Sequence, residues 1–303
     1  MFGDNLEKNI SAIGVFGSGN MGKNIALKLS ENYKVISYDR ERERYKEFEN
    51  TKVQFTDSVE DFIKMLKKND GHIVWLMIPG GAATNEAVAS LSSMLENGDI
   101  VIDGSNALYE DSIKNYMLLK NDGKYYLDAG CCGGPLDVLA GISFIVGGDK
   151  IAYNMAENIF RDLAGKNGTY GYVGGAGWGH RVKLIHNGIF YGIFPIYAEG
   201  IELLFKMGEK DKNVDLDEAC RLLAKSQVIN GEILDTISKM PKPAKVAEIS
   251  EVKVSEMVKW EVKKAKEIGV SLSTTEKAID GYKMLSESAK RILSEAKRII
   301  TGH

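Results

Sequence analysis

The run Ala12-Ile13-Gly14-Val15-Phe16, closed by Gly17-Ser18-Gly19-Asn20-Met21-Gly22, constrains this chain more than any other feature. A short apolar run broken by glycine reads as a buried strand entering a tight turn. The stretch from Met21 to Ser30 then reads as a helix, and Lys34-Val35-Ile36-Ser37-Tyr38-Asp39 as a second strand ending on a carboxylate. Glycine pairs alone are common in loops. Between a strand and a helix, with an acid 20 residues beyond Gly19, the pattern predicts a dinucleotide-binding unit. Gly17 permits the tight turn, Gly19 lets the backbone approach a pyrophosphate, and Gly22 allows close packing of helix on strand. The helix start offers unpaired N–H groups and the positive end of its dipole to the phosphates. Asp39 can accept hydrogen bonds from both ribose hydroxyls and would repel a 2′-phosphate, which favours NAD over NADP. Arg40 keeps NADP open, whereas Arg42 and Arg44 read as the solvated start of a helix.

Strands and helices keep alternating beyond this unit. Strands are expected at 53–55, 72–79, 99–105, 125–130, 142–148 and 169–174, and helices at 41–49, 58–67, 85–95, 110–120 and 151–163. That order predicts an α/β fold, a Rossmann-type doubly wound parallel sheet covered by helices on both faces. After residue 177 no strand pattern remains. Helices are expected at 179–207, 215–238, 251–267 and 273–300, with Pro241 and Pro243 marking a loop over Lys239–Lys245. Two domains suit a chain of 303 residues: an NAD(P)-binding domain over 1–177 and an all-helical substrate and dimerisation domain over 178–303.

Composition narrows the partners. With 39 basic and 42 acidic side chains there is no basic field for nucleic acid; a small molecule held in a local pocket is expected instead. Cys131 and Cys132 are adjacent and Cys220 stands alone, which gives neither a disulfide framework nor a metal-binding spacing and suits a reducing cytoplasm. The first ten residues lack the basic start and apolar core of a secretory leader. Leu184 to Phe205 is apolar, but it includes His186, Asn187, Pro195 and Glu199. Such groups are costly in lipid, so a buried central helix is expected and no membrane.

The chemistry concentrates at strand ends and on that helix. Ligands of open α/β sheets lie beyond the carboxyl ends of the strands. This places Ile78 and Pro79 beside the cofactor, and Asn106 near both cofactor and substrate, although Asn106 could also simply form a turn. Gly133 and Gly134, after the strand carrying Asp128, can turn backbone N–H groups towards a carboxylate. Cys132 beside them reads as packing or substrate contact, since no base is apparent next to it. Lys183, His186 and Asn187 are spaced three and four residues apart and share one helix face. A lysine in so apolar a helix either reaches out to solvent or works; burial lowers its pKa, and a neutral lysine can accept an alcohol's proton.

The segments GSGNMGKNIA, VWLMIPGG, DGSNALYED and GWGHRVKLIHNGIFYGIFPIYAEG resemble those of the 6-phosphogluconate dehydrogenases, in their short form, within the β-hydroxyacid dehydrogenase superfamily. The resemblance runs from residue 12 to about 282 and is carried most specifically by Lys183, His186, Asn187, Gly188, Tyr191 and Gly192. It implies an NAD- or NADP-dependent oxidation without a metal, in a homodimer. Lys183 would be the general base, and Asn187, His186 and Asn106 would position the hydroxyls and carboxylate of a sugar acid. Gly133 and Gly134 would line the carboxylate loop, and Tyr191 would contact the substrate's phosphate end. Two positions depart from the family: Cys132 stands where it has a serine, and Phe190 where it has a glutamate that protonates carbon after decarboxylation. Loss of a general acid costs about 10²–10⁴ in rate. Three readings therefore stand: oxidative decarboxylation of 6-phosphogluconate, simple oxidation of another β-hydroxy acid, or a dinucleotide-binding sensor whose catalytic helix has drifted.

Overall fold

A computed structural model describes residues 10–208, 213–226, 236 and 256–301. Contacts divide the chain into two compact units, Met1–Lys183 and Leu184–His303. The first unit alternates strongly: β1 (Ala12–Phe16), α1 (Asn20–Leu29), β2 (Lys34–Tyr38), β3 (Gln54–Thr56), α2 (Val59–Lys68), β4 (Gly71–Leu76) and α3 (Ala82–Met94). It continues through β5 (Ile100–Asp103), α4 (Tyr109–Asn121), β6 (Tyr125–Cys132), α5 (Pro135–Ala140), β7 (Ser143–Gly148), α6 (Lys150–Ala164) and β8 (Tyr170–Gly174).

The eight strands form one sheet in the order β3-β2-β1-β4-β5-β6-β7-β8. Strands β1 to β6 are parallel, with the order of a doubly wound dinucleotide fold. The strands are near-continuous apolar runs because both faces are covered. Ile73, Trp75 and Ile102 enter one core with Ile25, Leu29 and Phe160. Val74, Leu76 and Val101 enter the other with Phe62, Val88 and Leu91.

Two expectations for this unit need correction. The sheet is not wholly parallel, for β7 runs antiparallel to β6 and β8 follows β7. A parallel return needs a crossover of about a dozen residues or more, and segment 133–142, which holds the unanticipated α5, is too short for one. The expected helix at 41–49 is a 3-10 segment, Arg42–Phe48. Its charged sequence buries only Phe48, so it has no apolar stripe to stabilise a longer helix. The first unit runs on to Lys183, because the turn that begins the next helix packs onto β6 and β7, as described below.

The second unit is helical in its described residues: α7 (Trp178–Gly208, begun in the first unit), α8 (Leu216–Ala224), α9 (Glu256–Glu267), α10 (Ser273–Met284) and α11 (Glu287–Thr301). The expected loop at Lys239–Lys245 and the end of the 215–238 helix lie outside the described residues. The single helix expected over 273–300 is two helices, broken at Leu285 and Ser286. Ser286 Oγ accepts the Ala289 N–H at 3.1 Å and so caps a new helix start. Phe194, Ala198 and Ile201 of α7 form a core with Cys220, Tyr282, Ala289 and Leu293. The opposite side of α7 exposes Ile185, Ile189, Ile193, Ile196, Leu203 and Met207, the last 64% exposed. A fully buried central helix is therefore not what a single chain provides; one side of α7 is core and the other is an apolar stripe. By length and composition alone, α7 could cross a membrane.

Candidate active site

The glycine loop is built as its sequence dictates. Gly17 has φ +107°, and a Cβ there would lie 2.5 Å from the Met77 carbonyl oxygen and 2.6 Å from the Ile78 side chain. Only glycine takes that conformation without strain. A Cβ at Gly22 would strike the Gly17 carbonyl, so Gly22 closes the turn as well as seating α1. A Cβ at Gly19 would meet nothing within 4 Å, and no side chain caps α1. The open space over Gly19 at the start of α1 suits a pyrophosphate. Asp39 sits at the end of β2, where its Oδ2 accepts the Ser18 N–H at 2.7 Å and its Oδ1 the Glu41 N–H at 3.0 Å. The Ser18 and Ser37 hydroxyls are 2.8 Å apart. Arg40 is exposed beside Asp39; Arg44 pairs with Glu41 at 3.1 Å and Arg42 with Asp57 at 3.8 Å.

The neighbouring strand ends form one rim with this loop. A Cβ at Gly80 would lie 2.6 Å from the Asn106 carbonyl oxygen, so the turn carrying Pro79 and the turn carrying Asn106 touch by backbone. Thr84 donates to the Pro79 carbonyl at 2.9 Å, which pins the first of them. Asn106 is exposed on the second.

Lys183 is held against β6. The first turn of α7 lies so close to the sheet that a Cβ at Gly179 would collide with the Asp128 carbonyl and lie 2.7 Å from the Ile145 carbonyl. The buried Asp128 carboxylate accepts the Gly177 N–H at 2.7 Å and the His180 N–H at 2.8 Å, fastening the helix start. Gly130 then leaves room for the lysine: a Cβ there would be 2.5 Å from Lys183 Cβ and 3.1 Å from its Cγ. Burial lowers the Lys183 pKa, partly opposed by the Cys132 and Cys131 sulfurs, and the amine hydrogen-bonds Cys132. The amine is thereby moved towards the neutral form that a proton acceptor needs.

This neighbourhood revises the reading of Cys132, since Lys183 stands beside the thiol. Burial nevertheless raises the Cys132 pKa, and it pushes that of Cys131 up to about 12. Both remain thiols, which are poor nucleophiles. Beyond them, Gly133 is exposed with φ +143°. Gly134 N–H donates to Asp137 Oδ2 at 2.5 Å, so one of the two N–H groups expected to face a carboxylate is already taken within the chain.

In the second unit His186 is exposed and Asn187 partly buried, with His186 Nδ1 3.5 Å from Asn187 Oδ1. Phe190 is partly buried, stacked on Phe194 with ring centres 5.0 Å apart and edge-on to Tyr191 at 5.3 Å. The Tyr191 carbonyl accepts the Tyr282 hydroxyl at 2.9 Å, and burial raises the Tyr191 pKa. The sequence alone does not single out Asp128 or Gly130. A glycine inside a strand run can signal a close backbone approach, and that cue was present at Gly130. Among the described residues, no three His, Cys, Asp or Glu side chains converge as a metal site.

The NAD-binding domain model of 6-phosphogluconate dehydrogenase matches residues 12–174. A decarboxylating, NAD(+)-dependent 6-phosphogluconate dehydrogenase of Haloferax volcanii is 31% identical over 74% of this chain and 72% of its own length. A decarboxylating 6-phosphogluconate dehydrogenase of Lactococcus lactis is 38% identical over 63% of this chain, which spans 42% of that enzyme's length. Among solved structures, the Plasmodium falciparum 6-phosphogluconate dehydrogenase, determined apo, with NADP+ and with 6-phosphogluconate, superposes on 95% of this chain and 64% of its own. The TM-score is 0.76 at 29% identity.

Proposed function

Because the chain belongs to the 6-phosphogluconate dehydrogenase family, we propose that it oxidises the C3 hydroxyl of a β-hydroxy acid, a sugar acid by preference, with Lys183 as the base. The observation that carries this reading is the lysine itself, seated over Gly130 and lowered in pKa by burial.

Gly17, Ser18, Gly19, Asn20, Met21 and Gly22 would hold the dinucleotide's pyrophosphate. Asp39 would hold its adenosine ribose, with Arg40 alongside, and Ile78, Pro79 and Asn106 would border the nicotinamide. The Asp39 carboxylate favours NAD over NADP. When bound, the cofactor supplies the hydride acceptor. The neutral Lys183 amine takes the hydroxyl proton and becomes an ammonium as the carbonyl forms. Asn187, His186 and Asn106 would orient the substrate's hydroxyls and carboxylate. Cys132, Gly133 and Gly134 would border the carboxylate, and Tyr191 would reach the far end.

A second reading, oxidation without efficient decarboxylation, is favoured by Phe190. Its ring is committed to stacking on Phe194 and has no proton to give. We further propose a homodimer that covers the Ile185–Ile196 stripe of α7, in the cytoplasm, with neither nucleic acid nor membrane as partner. The free thiols of Cys131, Cys132 and Cys220 and the near-neutral charge support that setting.

The test incubates the protein with NAD or NADP and a panel of β-hydroxy acids, following cofactor reduction and carbon dioxide together. Reduction by at least one acid is expected; reduction by none, with measurable cofactor binding, leaves a sensor instead. Lys183→Ala should lower turnover by about 10²–10⁴ with cofactor affinity kept, and undiminished turnover would remove this mechanism.

A further inference from the structure

Asp103 ends β5 and pairs in register with Asp128 of β6. Each carboxyl fastens a different piece of the first unit. Asp103 Oδ1 accepts the Ser105 N–H at 3.0 Å, which holds the turn leading to Asn106. Asp128 holds the start of α7 through the Gly177 and His180 N–H groups, and Lys183 follows His180 by three residues. A line of side chains joins these two pieces. The Tyr126 hydroxyl donates to Asp103 Oδ2 at 2.8 Å and also hydrogen-bonds Ser112 of α4. Ser112 Oγ lies 2.7 Å from His180 Nδ1. All of these side chains are shut away from solvent, His180 being the most exposed at 2%.

The line has a direction. Tyr126 gives its only proton to Asp103, so the Ser112 proton goes to the phenol oxygen or to the Leu108 carbonyl at 3.4 Å. His180 Nδ1 therefore carries the hydrogen that Ser112 accepts, and Nε2 keeps a bare lone pair. Stability does not account for such a line. Phenylalanine at 126 and alanine at 112 would fill nearly the same space without desolvating a hydroxyl. Two further atoms beside it, His180 Nε2 and Ser105 Oγ, are buried with no hydrogen-bond partner among the described residues, which is costly.

We propose that Tyr126, Ser112 and His180 are positioning residues, tying the Asn106 turn to the first turn of α7 and so setting where the Lys183 amine stands relative to Asn106. This rests on the reading of Lys183 as the base and of Asn106 as a contact of cofactor and substrate. His180 is held twice, by its N–H from β6 and by its ring from α4. It is an i, i+3 neighbour of Lys183, so a shift of the amine's turn strains both bonds. The titratable groups that face the amine, the Cys131 and Cys132 thiols of β6, take no part in the line.

Ser112→Ala cuts the line at its middle and Tyr126→Phe at its far end, each by removing one oxygen. Melting curves of the full chain set an assay temperature at which each variant is folded. Acetic anhydride labelling across about pH 6–11, mapped by peptide mass spectrometry, gives the midpoint at which Lys183 becomes a free amine. Burial holds that midpoint below the ordinary 10.5 in the wild type. A loosened turn re-solvates the amine, so the midpoint should rise by about half a pH unit or more in both variants. A purely structural loss would leave it where it is. NADH formation from the β-hydroxy acid that the wild type oxidises fastest should fall by about tenfold to 10²-fold. The double variant should lose no more than the worse single one, because the two sites share one line. An unmoved midpoint in both variants, additive losses in the double variant, or failure of both variants to fold would overturn the inference. If the midpoint moves as expected but the wild type reduces no NAD with any acid, the oxidation reading fails while this one stands. If the wild type oxidises an acid and neither substitution moves midpoint or turnover, the reverse holds.

Discussion

Gly130→Ala places one methyl group between β6 and the helix that carries Lys183, the proposed base. The new Cβ would lie 2.5 Å from Lys183 Cβ, 3.1 Å from its Cγ and 3.2 Å from the Gly179 carbonyl oxygen. Carbon atoms in contact settle at about 3.5–4.0 Å, so something must move by about 1 Å. The obstructing Lys183 Cβ is fixed to the helix backbone, which means that the turn shifts and the amine shifts with it. Overpacking of this kind costs about 1–3 kcal/mol, equivalent to roughly 2–10 °C in melting temperature for a unit of this size. A misplacement of about 1 Å in a catalytic group costs about 10²-fold in rate. The glycine loop follows β1, three strands from β6 in the sheet, so NAD affinity should hold. Turnover by NADH absorbance, melting by scanning fluorimetry and NAD titration measure the three quantities. Wild-type turnover and melting would refute the packing described here, and a parallel loss of NAD affinity would show a general collapse instead.

Other perturbations test the remaining parts. Asp39→Asn should lower the preference for NAD over NADP by about tenfold or more, read from the two Michaelis constants, because an amide no longer repels a 2′-phosphate. Phe190→Glu should lower the melting temperature, since a carboxyl without a partner among aromatic rings costs about 1–3 kcal/mol. It should also raise carbon dioxide released per NADH, and no gain would count against an acid role for that position. Glu261 holds its proton to about pH 7 in the fold, against an ordinary value of 4.5. Between those values the folded chain binds more protons than the unfolded one, so stability falls as pH rises through that window. Partial exposure limits the effect to about 1 kcal/mol, and Glu261→Gln should flatten this part of the melting-versus-pH curve.

What the sequence disclosed, and what it concealed, divides along the range of the interactions. Gly17, Gly19, Gly22 and Asp39 are legible because a strand, a turn and a helix start are local, and the next strand follows at a fixed interval. Lys183 is legible because a cation in an apolar helix is anomalous wherever it packs. Asp128 and Gly130 are silent in the sequence, since their roles depend on a helix some fifty residues further on. The reversal of β7 was hidden because the strand pattern carries no direction, and only the shortness of 133–142 betrays it. Glu261 looks like any charged residue of an amphipathic helix until its carboxyl is found against Gly188.

The seating of α7 on β6 works as a gauge. Four residues of helix, from Gly179 to Lys183, rise about 6 Å at 1.5 Å per residue. Two residues of strand, from Asp128 to Gly130, cover nearly the same length at about 3.3 Å each, and the two ends of each span are the positions that touch. A single residue added to or removed from either span would break this match, and in the helix it would also swing the amine through about 100°. The loops of this unit can lengthen or shorten without that consequence. Between Asp128 and Lys183, two different repeat lengths agree at only one setting, and that setting fixes where the Lys183 amine stands.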